Sequence, residues 1–239
     1  MDEVLYEKPL KIELVGTTLF VNGGQHPKSV RTIAQMKNVM AGKVDETATM
    51  EAYYMYRSVF VGDDIRYDIT LIPPATIKGE CAKTFGHYHP GSEDGSPYPE
   101  VYQVLRGSAV FMMQKRNRNG SVDAIVVHAK EGEVVLLPPG YGHVSINDGE
   151  DRLVLANLVY DRFESMYSEY EENRGAAFYY MRGGEIVQNT NYIVQKSEKI
   201  SPKELNGRYG FSSKDLLAEF HANPKAFEFL KRPKGMFKG

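Results

Sequence analysis

The sequence predicts an all-β sandwich or barrel, preceded by a short helix and followed by a helical tail. Three observations carry that reading. Short segments rich in Val, Ile, Leu and Tyr recur through the middle of the chain, punctuated by Gly, Pro, Asn or Asp. No long helical pattern alternates with them, which argues against a parallel sheet with crossover helices. Residues 200–239 then change character and carry helix start signals.

Residues 1–50 form the first zone, expected to pack on the barrel. In KSVRTIAQMKNVM the apolar residues Val30, Ile33, Met36 and Met40 fall near helical spacing, with Pro27 ahead and Gly42 behind. A short helix is expected there. Residues 51–197 form the barrel zone. DIRYDITLIPP, EVYQVLRGSAVFMMQ, DAIVVHAK, EVVLLPP, HVSIND and RLVLANLVY read as strands, and Asn119-Gly120 is a hairpin-turn signal. Residues 198–239 are the tail. SPKEL offers Ser201 as N-cap, Pro202 at the first helical position and Glu204 two residues on, a capping box. SSKDLLAEF and NPKAFEFL carry similar start signals. The tail is expected to pack on the barrel or on a partner subunit.

Composition excludes several function classes. The 239 residues are 42% apolar, enough for a sizeable core. With 29 Lys+Arg against 31 Asp+Glu the net charge is −2, and no basic patch suggests nucleic acid as a partner. The longest apolar runs, EVVLLPP and RLVLANLVY, fall short of the ~20 residues that span a bilayer. The opening MDEVLYEKPLKIEL is mixed and acidic, unlike a secretory leader. Cys81 stands alone, so no intrachain disulfide forms, and a cytoplasmic setting is expected.

The chemistry gathers in GHYHPGSEDGSPYPEVYQVLRG. Residues two apart on a strand face the same way, so His87 and His89 project together, with Tyr88 opposite. The turn-rich GSEDGSPYP lets the chain fold back, bringing Glu100 beside the histidines with Tyr102 on its face. Two imidazoles and a carboxylate suit a divalent ion such as Fe²⁺, Zn²⁺, Ni²⁺ or Mn²⁺. A fourth ligand is expected from His143, after the turn at Pro138-Pro139-Gly140. His26, His128 and His221 read as ordinary surface or core residues.

These residues resemble the two cupin motifs. His87-Tyr88-His89, a gap of ten, Glu100, six residues and Gly107 resemble the first, with a longer gap than usual and Cys81 in place of its leading glycine. Gly132, Pro138, Gly140, His143 and Asn147 resemble the second, with every spacing kept. The resemblance implies a cupin double-stranded β-helix, a jelly-roll barrel. Within cupins, Thr84-Phe85-Gly86-His87-Tyr88-His89, then Glu100-Val101-Tyr102, then Pro138-Pro139-Gly140-Tyr141-Gly142-His143, resemble the cupin-type glucose-6-phosphate isomerases of archaea and some bacteria, over roughly residues 25–165. The C-terminal tail is longer than the compact members have.

That resemblance implies one divalent metal per subunit, with Fe²⁺ first, on His87, His89, Glu100 and His143. It implies a sugar-phosphate substrate, with Thr84 and Gly86 at the phosphate, Thr70 as another hydroxyl contact, and Tyr56 and Tyr160 as further contacts. A histidine of the family after Tyr160 has no counterpart; DRFESMYSEY offers Met166 and Tyr167 there. Glu100 becomes the candidate base for moving hydrogen between C1 and C2, with Tyr102 as neighbouring donor. A homodimer is expected, as cupin barrels pair through exposed strands. Two other readings stand beside the isomerase: an Fe²⁺ dioxygenase with the same ligand set, and a non-catalytic sugar-phosphate-binding cupin whose metal staples the barrel.

Overall fold

The computed structural model describes residues 2–237, so Met1 of the first expected zone and Lys238 and Gly239 of the tail lie outside the described residues. In chain order the strands begin with β1 (Asp2–Tyr6), β2 (Ile12–Val15), β3 (Thr18–Val21), β4 (Gly24–Gln25) and β5 (Ser29–Thr32). The central ones are β6 (Glu51–Gly62), β7 (Ile65–Ile72), β8 (Thr76–Ile77), β9 (Glu80–Cys81), β10 (Glu100–Arg106), β11 (Ser108–Arg116), β12 (Val122–Lys130), β13 (Val134–Leu137), β14 (Tyr141–Asn147) and β15 (Leu153–Tyr160). After helix α1 (Ser168–Glu172) come β16 (Phe178–Tyr180), β17 (Ile186–Gln188) and β18 (Val194–Ile200), then helices α2 (Pro202–Arg208) and α3 (Leu216–Ala222).

Two sheets face each other. One has six strands in the order β13-β10-β15-β7-β6-β5; the other has four, β14-β11-β12-β18. All neighbours pair antiparallel except β12 and β18. Tyr102, Val104, Val135, Leu137 and Leu155 from the first sheet meet Phe111, Val144 and Ile146 from the second in one buried cluster. The Tyr102 and Phe111 ring centroids lie 5.3 Å apart.

The six-stranded sheet is also covered on its outer face. Tyr54, Tyr56, Tyr67, Ile69, Val101, Leu136 and Leu158 pack there against Ile12, Leu14 and Leu19 of the four-stranded sheet β1-β2-β3-β4. Leu216, Leu217, Phe220, Phe227 and Leu230 of the tail complete the cover. A strand buried on both faces has no polar side to alternate with, which explains why the apolar run in RLVLANLVY is broken within the strand only by Asn157.

Ser201 caps α2 as expected, its side chain accepting from the Glu204 N–H, and Asp215 caps α3 through the Ala218 N–H. Asn206 of α2 then closes the free edge of β13: its Oδ1 accepts from the Leu136 N–H (2.9 Å) and its Nδ2 donates to the Val134 carbonyl (2.7 Å). An edge satisfied in this way offers no template for another strand. NPKAFEFL forms 3-10 turns rather than an α-helix.

The helix expected around residues 30–40 does not form. Ser29–Thr32 pairs with β6, and only Ala34–Met36 makes a 3-10 turn. The β-branched Val30 and Thr32 suit a strand, and β6 presents an edge for them to complete. The near-helical spacing instead places Ile33, Met36 and Met40 in the core through successive turns. Among the described residues no helix is long and apolar enough to cross a membrane.

Candidate active site

His87-Tyr88-His89 lies in an extended segment that crosses to the end of β14. His87 and His143 exchange backbone hydrogen bonds, 3.3 Å and 3.0 Å. Tyr88 pairs with Met166 and turns the other way, where its hydroxyl accepts from Gln114 Nε2 at 3.1 Å. The inner face of β10 supplies Glu100 and Tyr102. Gly86 makes this approach possible: at φ +90° a Cβ there would lie 2.5 Å from the Tyr170 ring and from Val144 Cγ1.

Four donor groups converge. One ligand atom each from His87, His89, Glu100 and His143 fall within 4.8 Å of one another. His87 Nε2 and His89 Nε2 are 3.1 Å apart; Glu100 Oε2 lies 3.4 Å from His89 Nε2 and 3.2 Å from His143 Nε2. Bonds of about 2.1 Å to a common ion put neighbouring ligand atoms about 3.0–3.4 Å apart, which these separations match. The neighbours of the ring set its chemistry. His89 Nδ1 donates to the Tyr98 carbonyl at 3.0 Å, which leaves the Nε2 lone pair facing the cluster. Asn157 Nδ2 donates to Glu100 Oε1 at 2.7 Å, while Glu100 Oε2 is buried without a hydrogen-bond partner.

Protonation favours the same use. Burial, then the neighbouring His143 and His89 charges, hold His87 well below the usual imidazole range. Burial pushes His89 down to about 4, against the opposing pull of the Glu100 charge. Burial raises the proton affinity of Glu100, but His143, 3.2 Å away, and then His89 and Arg66 outweigh it, so the carboxyl sits below its ordinary value. Near neutral pH, lone pairs of neutral imidazole and a carboxylate oxygen therefore crowd one point. A cation at the centre would relieve the repulsion among them. Burial and then Glu100 hold Tyr102 protonated; its hydroxyl is 3.5 Å from His143 Nε2.

The cluster opens into a cavity lined also by Tyr53, Thr70, Thr84 and Tyr102. Thr84 Oγ1 accepts from the Ser145 N–H at 2.9 Å, which fixes the hydroxyl and leaves its proton for a ligand. Gly86 is not on the wall; it packs against Tyr170 and Val144. Two expected contacts lie elsewhere. Tyr56 faces the outer side of the sheet, fully buried, with its hydroxyl donating to the Thr17 carbonyl at 2.8 Å. Strand alternation puts Tyr53, Met55 and Arg57 on the cavity side instead. Tyr160 likewise alternates away from Asn157 and Val159, which line the cavity, and rests on Tyr98, ring centroids 4.9 Å apart.

Several wall residues carried no motif signal. Arg66 bonds Asp68 (2.8 Å) and Asp161 (3.1 Å); Asp68 is buried, which raises its proton affinity despite Arg66. Tyr167, standing where DRFESMYSEY lacks a histidine, places its ring 5.5 Å from that of His87. Phe163 packs on His89 at 4.6 Å. Only strand parity could have pointed to Arg57, Arg66, Asp68 and Asn157.

The family described as Glucose-6-phosphate isomerase (GPI) matches residues 30–196, a span that includes all four converging groups. The glucose-6-phosphate isomerase of Thermococcus onnurineus is 22% identical over 190 residues, covering 76% of this chain and 94% of that one. That of Pyrococcus abyssi is 24% identical over 158 residues, covering 63% and 78%. Among solved structures, an oxalate decarboxylase from Lactobacillus farciminis in a formate complex aligns at TM-score 0.36 and 21% identity, over 48% of this chain and 30% of that one.

Proposed function

The chain belongs to the glucose-6-phosphate isomerase family, and we propose that it interconverts glucose 6-phosphate and fructose 6-phosphate with one divalent ion on His87, His89, Glu100 and His143. The observation that carries the metal is the convergence of four ligand atoms within 4.8 Å of one another, inside the segment that matches the family. Fe²⁺ is our first assignment, and Zn²⁺, Ni²⁺ and Mn²⁺ suit the same donors. When bound, such an ion would polarise the sugar carbonyl and stabilise the oxyanion beside it.

The chain's own groups then have distinct tasks. Asn157 fixes Glu100 Oε1, so Oε2 alone faces the reacting end. Glu100 is our candidate carrier of the proton between C2 and C1, with the protonated Tyr102 phenol as the neighbouring donor. Its depressed proton affinity suits a ligand better than a base, which leaves a hydride shift as the competing route. Loss of C2 deuterium to solvent supports the proton route; full retention supports the shift. Thr84 and Thr70 offer hydroxyls for the phosphate. A homodimer and a cytoplasmic setting complete the proposal.

The test is conversion of fructose 6-phosphate, read by a coupled glucose-6-phosphate dehydrogenase, before chelation, after it and after return of Fe²⁺. Turnover that disappears and returns supports the proposal. No turnover with any of the four ions overturns it.

A further inference from the structure

The cavity wall carries two arginines with different commitments. Arg66 is taken up by Asp68 and Asp161. Arg57 has no carboxylate within ion-pair distance among the described residues; its guanidinium donates to Met55 Sδ at 3.7 Å. Arg31, the other cation nearby, lies over the Phe85 ring at 5.0 Å and is not on the wall.

The backbone beneath Arg57 is held in an unusual way. Tyr56 pairs with Ile69 and Phe60 with Tyr67, so Arg57, Ser58 and Val59 together oppose Asp68. Bulges of this kind re-aim a side chain. Ser58 takes φ +57°, and its N–H donates to Asp68 Oδ1 at 2.7 Å. The Arg57 carbonyl accepts from His26 Nε2 at 2.8 Å. Pinned from both sides, the residue keeps its side chain exposed at the cavity, beside Met55 and its cross-strand partner Thr70.

An unpaired guanidinium on a fixed base, facing a cavity with neutral hydroxyls, is a receptor for an anion. Strands sit about 4.8 Å apart, so the three steps from β10 to β6 separate the backbones of Tyr102 and Arg57 by about 14 Å. Two side chains and a six-carbon sugar phosphate together bridge that distance. We propose that Arg57 anchors the phosphate dianion of the substrate and selects phosphorylated over free sugar. The identity of the ligand rests on the isomerase reading; the anion site rests on the wall itself.

The test compares wild type with Arg57→Ala and Arg57→Lys in the purified full chain. Rates with fructose 6-phosphate give KM, and inorganic phosphate serves as the competing anion. Arg57→Ala is expected to raise KM and the phosphate inhibition constant roughly tenfold or more, the scale of a lost charge-assisted hydrogen-bond pair. Arg57→Lys restores part of this, since it keeps the charge and loses the fork. The thermal midpoint stays put, because the side chain is exposed. KM and inhibition constant both within twofold of wild type overturn the anchor and leave the isomerase intact. If the wild type shows no turnover, calorimetric titration with inorganic phosphate decides separately. Weaker binding in Arg57→Ala upholds the anchor; equal binding, or none in wild type, overturns it.

Discussion

Replacing Asn157 by leucine tests how the carboxylate of the cluster is held. Asn157 is buried, and its Nδ2 gives Glu100 Oε1 a hydrogen bond of 2.7 Å. Leucine has similar bulk and no donor, so Glu100 loses this partner while the packing changes little. A hydrogen bond to a charged group contributes about 1.5–3 kcal/mol. At about 1.4 kcal/mol per decade, the metal dissociation constant should rise about ten- to a hundredfold, the range typical for groups that orient a ligand. The assay is competition with a chelating dye at fixed pH, with chemical denaturation as a check on the fold. Asn157→Asp sharpens the test. It sets a second carboxylate against Glu100 Oε1, and two like charges that close share a proton. Metal release in that variant should move to higher pH than in wild type. Metal binding by Asn157→Leu within about threefold of wild type would refute the reasoning, because the hydrogen bond would then contribute less than the lower bound used here.

Three further outcomes follow from the same geometry. Gly86→Ala should cost roughly 2–4 kcal/mol in urea denaturation, from the φ strain and from overpacking against Tyr170 and Val144; a loss below about 1 kcal/mol would contradict the contacts. The metal-free protein should lose stability as pH falls below about 7. His89 is held down to about 4 when folded against ~6.5 unfolded, so the unfolded chain binds more protons between those values and stability rises with pH across them. A flat stability profile from pH 7 to 5 in the chelated protein would count against it. Tyr56→Phe should leave KM for fructose 6-phosphate unchanged while Tyr53→Phe raises it, since only Tyr53 lines the cavity; the reverse order would mean the face assignment of β6 is wrong.

The converging His and Glu cluster was legible in the sequence because its signals are local. His87 and His89 are two apart, Glu100 opens a strand after a turn-rich loop, and His143 follows a Pro-Gly turn. The strands RLVLANLVY and EVYQVL were legible too, although the local pattern did not show that both faces are covered. The remainder depends on parity. A one-residue shift along a strand moves a side chain to the opposite face, which separates Tyr53 from Tyr56 and Val159 from Tyr160. EAYYMYRSV carries tyrosines on both faces, so residue type alone does not choose between them. Arg57, Arg66 and Asp68 carry no local signal of the cavity, because nothing in their neighbourhood shows that a second sheet faces them. The segment 29–36 shows tertiary pairing overriding local spacing: helical periodicity gave way to the edge that β6 offers.

The extra cover on the outer face falls outside the matched span. Strands β1–β4 precede residue 30 and the tail helices follow residue 196. Both bury against the sheet whose inner face carries Glu100, Tyr102 and Asn157. This packing supports from behind the strands that carry Glu100, Tyr102 and Asn157 to the cavity.

The central claim is that turnover belongs to a metal held by His87, His89, Glu100 and His143. The most direct measurement adds Fe²⁺ stepwise to chelator-stripped protein and follows isomerisation of fructose 6-phosphate at each step. The account predicts activity that rises linearly from baseline and levels at one ion per chain, with no rise in His87→Ala. Full turnover by the stripped protein, or a rise in His87→Ala equal to that of wild type, would contradict it.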